Sequence, residues 1–286
     1  MRLNDEIINC VAFLCGTSRK PVATAFFVSI PYNLAPLPVM GHTYLVTAKH
    51  CVEGSRPGDL YVRLNIRNGQ FEYIKLDSEW IFPQDTSVDL AIMPFKISAF
   101  EFEYQTLPFS MLATDAKIKE HSIGIGEEVA ITGLFCERAG RKRNIPIVRF
   151  GNIAAMPIEK LEDIKTKKEF HGYLIEARSI GGLSGSPVIA FLGPSRIANN
   201  AVHMRHYYFF LLGVIRGHWH RPAIVPHRKR NRSVLEDDLG ELNFGIAVVT
   251  PATELESLLM DDRLCSKRRK EEEAMAKEIA KALTND

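Results

Sequence analysis

Three residues of this chain have the types that acyl-transfer chemistry needs, each in a distinctive local setting. Ser184 stands in SIGGLSGSP (180–188), among Gly181, Gly182 and Gly185, with Pro187 close behind. Small residues let a backbone take tight or left-handed conformations and let another molecule come near. That suits a nucleophile facing a substrate, and equally an ordinary surface turn. A serine hydroxyl is a weak nucleophile until a neighbouring base takes its proton. A histidine in that role needs a carboxylate to fix its tautomer and to stabilise its charged form. His50, in TYLVTAKHCV (43–52), follows small residues at the end of an apolar run. Asp89, in SVDLAIM (87–93), opens another apolar run, with Asp85 as a nearby competitor. A nucleophile elbow of the Gly-x-Ser-x-Gly kind is excluded, because position 186 is serine.

Other chemistries find less support. HMRH (203–206) with His218 and His220 lacks a carboxylate and makes a poor zinc site, so no metal and no cofactor is expected. The five cysteines are odd in number and show no CxxC, which argues against a disulfide framework or a zinc ribbon. A cysteine nucleophile at Cys51 or Cys136 would lack the glycine-flanked setting that Ser184 has. The net charge of +2 favours no class of partner. Two basic runs stand out, RAGRKR (138–143) and HRKRNR (227–232), with KRR at 267–269. They read as solvated loops or as a patch for an acidic partner. The aromatic-basic interleaving of a nucleic-acid module is missing, so nucleic acid is not expected.

The elements that must carry these residues read as β. Short apolar runs rich in β-branched and aromatic residues recur at 23–31, 43–48, 60–66, 71–76, 88–95, 128–135, 171–177, 207–215 and 243–249. Turn residues separate them, which is the pattern of an all-β barrel or sandwich. Amphipathic helices do not alternate with the strands, so a doubly wound α/β fold is excluded. A soft midpoint at 105–125 divides the chain, giving expected units of 1–115 with His50 and Asp89, 116–250 with Ser184, and 251–286. The last unit starts at Pro251 as a helix with an apolar stripe of Leu255, Leu258 and Leu259. Its charged end reads as an exposed helix or a frayed tail. The segment 216–243 is long enough to be a lid or specificity loop. The acidic N-terminus is unlike a secretory signal. No apolar run reaches the ~18 residues of a membrane span. With reduced thiols, these features point to a soluble cytoplasmic protein.

At this point the chain resembles the trypsin-like serine peptidases. TAKHC is similar to that family's TAAHC, VDLAIM to its DIALL-type segment, and GLSGSP to its GDSGGP. The form GxSGSP resembles the glutamyl-endopeptidase and bacterial trypsin-like branches. TAFFVS resembles an early family strand, with Ala25 replacing the usual glycine, and GVIRGHW resembles the strand lining the substrate cleft. NFGIAVVTPATELESLL resembles the closing strand and helix of bacterial relatives. The resemblance spans roughly residues 8 to 260 and carries the order His50, Asp89, Ser184.

The resemblance implies two six-stranded antiparallel β-barrels with a C-terminal helix, and an endopeptidase acting on protein or peptide substrates. Ser184 is then the nucleophile, His50 the base and Asp89 its orienter, with the backbone N–H groups of Gly182 and Ser184 as oxyanion hole. Arg178 falls at the pocket base, where a cation favours an acidic side chain. It is equally placed to face solvent or to pair with Glu176 or an inter-barrel carboxylate. Arg216, Gly217, His218 and Gly245 fall on the pocket walls, with a register slip of one or two residues possible along GVIRGHW. Two departures matter. Leu183 stands where the secreted enzymes carry an aspartate that pairs with the newly cleaved N-terminus, so that activation route is absent. Cys51 follows His50, but ATAFFVS offers it no cysteine partner. The alternative is a protease-fold binding or signalling module that is latent or cuts only itself.

Overall fold

The computed structural model describes residues 3–33, 41–98, 100–135, 138–163, 166–177, 183–198, 201–204, 207–222 and 241–284. The first half opens with a short helix α1 (Asp5–Asn9) and strands β1 (Val11–Cys15), β2 (Pro21–Pro31) and β3 (Gly41–Thr47). It continues with β4 (Tyr61–Ile66), β5 (Phe71–Lys75), β6 (Ala91–Pro94), β7 (Phe102–Glu103) and β8 (Leu107–Pro108). The order across the sheet is β5-β4-β1-β2-β3-β6, with β7 on β4 and β8 on β2.

After helix α2 (Asp115–Glu120) come β9 (Glu128–Leu134), β10 (Pro146–Ala155), the short pair β11 (Leu161–Glu162) and β12 (Glu169–Phe170), and β13 (Tyr173–Glu176). Then follow β14 (Pro187–Leu192), the hairpin β15 (Ser195–Ala198) and β16 (Ala201–Met204), β17 (Tyr208–Pro222) and β18 (Glu241–Pro251). Six of these close into a barrel, β10-β13-β18-β17-β14-β9. All its neighbouring pairs are antiparallel. The chain is thus mostly β, as the residue pattern implies. One barrel closes; among the described residues the first half forms an eight-stranded sheet whose end strands, β5 and β6, do not pair with each other.

β1 shows why both faces of the first sheet are apolar. Successive side chains on a strand point to opposite faces. Val11, Phe13 and Cys15 join one core cluster, and Ala12 and Leu14 another. The first cluster is shared across the molecule. Phe13, Phe26 and Val46 of the sheet sit in it with Leu134, Ile189 and Val214 of the barrel. A third cluster fills the barrel, including Ile131, Ile175, Val188, Leu212 and Val249.

The C-terminus is helical, with residues 277–281 exposed as expected, but its earlier part buries one face. Helix α3 (Ala252–Leu259) buries Leu255, Leu258 and Leu259 in the shared core. Helix α4 (Asp262–Thr284) then runs for 23 residues. Leu264, Arg268 and Glu272 recur at every fourth position, line up on one helix face and are all buried. That face docks on β3. Arg268 Nη1 donates to Tyr44 Oη at 3.0 Å, and His42 Nε2 lies 3.1 Å from Glu272 Oε1. Lys96 Nζ donates to Glu271 Oε2 at 2.9 Å. The polar members of the stripe hide the signal from a hydropathy pattern. No described helix is long and apolar enough to cross a membrane.

Candidate active site

β3 ends at Thr47, and the chain turns at once into a single 3-10 turn, Lys49–Cys51, which presents His50 at the edge of the sheet. Asp89 comes from the segment just before β6. Its two carboxylate oxygens both serve His50. Oδ1 accepts the backbone N–H of His50 at 2.9 Å, and Oδ2 lies 2.7 Å from Nδ1. This two-point grip orients the ring and favours a proton on Nδ1, facing the carboxylate. Asp89 is almost buried, and its backbone carbonyl accepts from Thr250 Oγ1 at 3.3 Å. The competitor Asp85 does something else: its Oδ1 accepts the Ser87 N–H at 2.8 Å and caps the turn leading to Asp89.

The imidazole is strongly perturbed. The hydrogen bond to the Asp89 carboxylate, followed by that to Cys51, pushes the pKa of His50 up to about 10 against the opposing effect of burial. The neighbour of Nε2 is Cys51, whose Sγ lies 3.4 Å away. Cys51 is a free thiol, as are Cys10, Cys15 and Cys265; Cys136 lies outside the described residues.

Ser184 sits in the turn that enters β14. That turn is sewn to its surroundings through the backbone. Ser186 N–H donates to Leu183 O at 2.9 Å, Gly185 N–H to Ile215 O at 2.9 Å, and Thr24 N–H to Ser184 O at 3.0 Å. The last bond reaches β2 in the first half. Gly185 has a left-handed φ of +82°, and a Cβ there would lie 2.1 Å from Thr24 O and 2.2 Å from Thr47 Oγ1. Glycine is therefore required twice, by its dihedral and by the close approach of two halves of the molecule. Thr47 Oγ1 itself donates to Thr24 O at 2.8 Å, completing the seam.

His50, Asp89 and Ser184 line one cleft of about 780 Å³, together with Arg216, Gly217, His218 and Trp219 of β17. Gly245 is not among its lining residues; φ is +74° there, and its carbonyl accepts the Ala177 N–H at 2.8 Å. Gly182 and Arg178 lie outside the described residues, as do the basic run 227–232 and the middle of the segment 216–243. The other basic run is folded onto the first sheet. Gly140 O accepts from Arg63 Nη2 at 2.7 Å, and Arg143 pairs with Glu103 at 2.8 Å, while Arg138, Arg141 and Lys142 are exposed. Of the histidine motif, His206 lies outside the described residues. Among the described residues no group of three or more His, Cys, Asp or Glu is arranged to hold a metal ion.

Sequence reasoning missed one wall of this cleft. Glu162, Asp163, Thr166, Lys168 and Phe170, on and between β11 and β12, also line it. Arg216, expected on the pocket wall, is spent on this element. Its Nη2 donates to Asp163 Oδ2 at 3.0 Å, its Nη1 to Ser87 O at 2.9 Å, and its guanidinium lies 3.8 Å from the centre of the Phe170 ring. The segment LEDIKTKKEF is charged and lacks alternation, so nothing in its composition marks it as a cleft wall. Comparison with protein-family models and with curated proteins finds no match for this chain.

Proposed function

We propose that this protein is a serine endopeptidase that cleaves peptide bonds through an acyl-enzyme. One observation carries the proposal: a histidine gripped at two points by a nearly buried carboxylate lines the same cleft as a serine in a backbone-bonded turn. In this mechanism Ser184 Oγ attacks the scissile carbonyl while His50 Nε2 takes its proton. Asp89 stabilises the imidazolium that forms, and His50 then protonates the leaving amine. The oxyanion of the tetrahedral intermediate is held by backbone N–H groups, for which Ser184 and Gly182 are the candidates. Loss of one such donor costs about 100- to 1000-fold in rate. The Gly185 N–H is already committed to Ile215 O and takes no part. No cofactor enters the scheme.

The test is labelling of the purified protein with a fluorophosphonate probe. Wild type is expected to label at Ser184, and Ser184→Ala to lose the label with an unchanged melting temperature. Equal labelling of both proteins refutes the assignment of Ser184.

A second reading is a latent, self-cleaving or purely binding module on the same scaffold. It is favoured by the contact of His50 Nε2 with Cys51 Sγ, which occupies the nitrogen that the serine proton must reach. In its latent or purely binding form, wild type stays unlabelled although it binds peptide.

A further inference from the structure

We infer that Arg216 is a positioning residue that latches the β11–β12 wall of the cleft to the turn carrying Asp89, so that the orientation of His50 depends on the state of that wall. The inference rests on the hydrolase reading of the cleft, but it concerns a residue outside the three reacting groups.

The geometry is a three-way junction. Arg216 projects from β17, which belongs to the barrel. One arm of its guanidinium holds Asp163 beside β11, and its face covers Phe170 of β12, so both ends of the hairpin are gripped. The other arm crosses to the first half and donates to the carbonyl of Ser87. Ser87 lies two residues before Asp89, in a turn closed by Val88 N–H to Asp85 O at 3.2 Å and by the Asp85 cap on the Ser87 N–H. A second tie runs parallel, with Lys168 Nζ donating to Thr86 Oγ1 at 3.1 Å. Thus the wall and the turn are joined at two successive residues, 86 and 87.

Arginine suits the junction because its planar fork makes several directed hydrogen bonds while stacking on an aromatic face. The side chain is 17% exposed and Asp163 25%, so the pair is partly shielded from solvent. The guanidinium is therefore committed to internal partners. It is a strut of the cleft, and an acidic substrate side chain would have to displace Asp163 to reach it. A substrate segment lying in the cleft touches the wall, and any shift of the wall is passed through Arg216 to the Ser87 carbonyl and on to Asp89. Small errors of alignment cost rate, up to about 100-fold for roughly 1 Å.

The test compares wild type with Arg216→Met and Arg216→Lys, reading fluorophosphonate inactivation (maximal rate and half-saturating concentration) and the titration of His50 by NMR of labelled imidazole. For Arg216→Met, the maximal rate is expected to fall about 10- to 100-fold with the half-saturating concentration little changed. The His50 midpoint moves down toward the ordinary histidine range. Arg216→Lys keeps the charge opposite Asp163 but loses the fork, and falls between the two. Should Arg216→Met fail to fold, Asp163→Asn and Phe170→Leu loosen the far end of the latch and are expected to shift His50 in the same direction. A folded variant whose inactivation and His50 titration both match wild type overturns the inference. If wild type proves inert to the probe while His50 still shifts in the variants, the hydrolase reading falls and the latch stands.

Discussion

At the scale of single residues, the pairing of His50 with Asp89 decides the protonation state on which the proposed chemistry depends. The carboxylate raises the imidazole pKa to about 10, so the free site holds imidazolium at neutral pH. A general base must be neutral to accept a proton. Labelling of Ser184 should therefore climb as pH rises from 7 toward 10. In Asp89→Asn the climb should move down toward the ordinary histidine range near 6.5, with a lower plateau because the tautomer is no longer fixed. The stability linkage has the opposite sign. A folded pKa above the unfolded one means that charged His50 stabilises the fold at low pH and that this contribution is lost as pH rises through about 10. The melting temperature of wild type, relative to Asp89→Asn, should accordingly shrink its advantage in alkaline buffer. Cys51 is the second group on this ring. Cys51→Ala removes the sulfur from Nε2 and is expected to speed labelling at fixed pH, measured as the inactivation rate; a slower rate would show that the thiol helps to seat the imidazole.

At the scale of elements, the glycine bed around Ser184 has a structural use that its composition alone did not reveal. Gly185 lets the Ser184 turn pass within contact distance of Thr24 and Thr47, where the two halves meet. Gly185→Ala combines a left-handed alanine with a backbone clash, for an expected loss of about 2–4 kcal/mol, read by chemical denaturation. An unchanged midpoint would mean that the seam yields easily. Legibility did not simply follow apolar runs, since the wholly apolar β1 and β14 were not singled out. β2, β3, β4 and β6 were visible as short runs rich in apolar and β-branched residues bounded by turn residues. β10 was not among the expected runs, and the reason is physical. PIVRFGNIAA carries Arg149, Gly151 and Asn152 and has a single buried position, Ile153, so no alternation marks it. The β11–β12 wall escaped because its side chains act on the cleft rather than on a core. That His50, Asp89 and Ser184 would share a cleft was implied by the resemblance alone, whereas the bonds made by Arg216 depend on two segments meeting that are distant in sequence.

At the scale of the whole molecule, the described residues form one closed barrel and one eight-stranded sheet that share a core. Polar groups within the α4 stripe, Arg268 on Tyr44 and Glu272 on His42, make its docking specific. Leu264→Ala opens a hole beneath the helix and should cost about 2–4 kcal/mol. Because one core cluster spans sheet, barrel and α3, the loss should lower a single cooperative transition seen alike by fluorescence and circular dichroism. Two separated transitions would show that the halves melt independently.

The brace on Asp89 also has a consequence in time. Thr250, which holds the Asp89 carbonyl, stands 161 positions further along the chain, and Glu272, against His42, stands 230 positions further. Contacts so remote form late. While a ribosome is still extending the chain, His50 and Asp89 emerge before the threonine that braces them and before the helix that docks on β3. Synthesis itself thus sets a delay. The cleft cannot be finished until β18 and its Thr250 have emerged, and a chain stopped short of them has no assembled cleft.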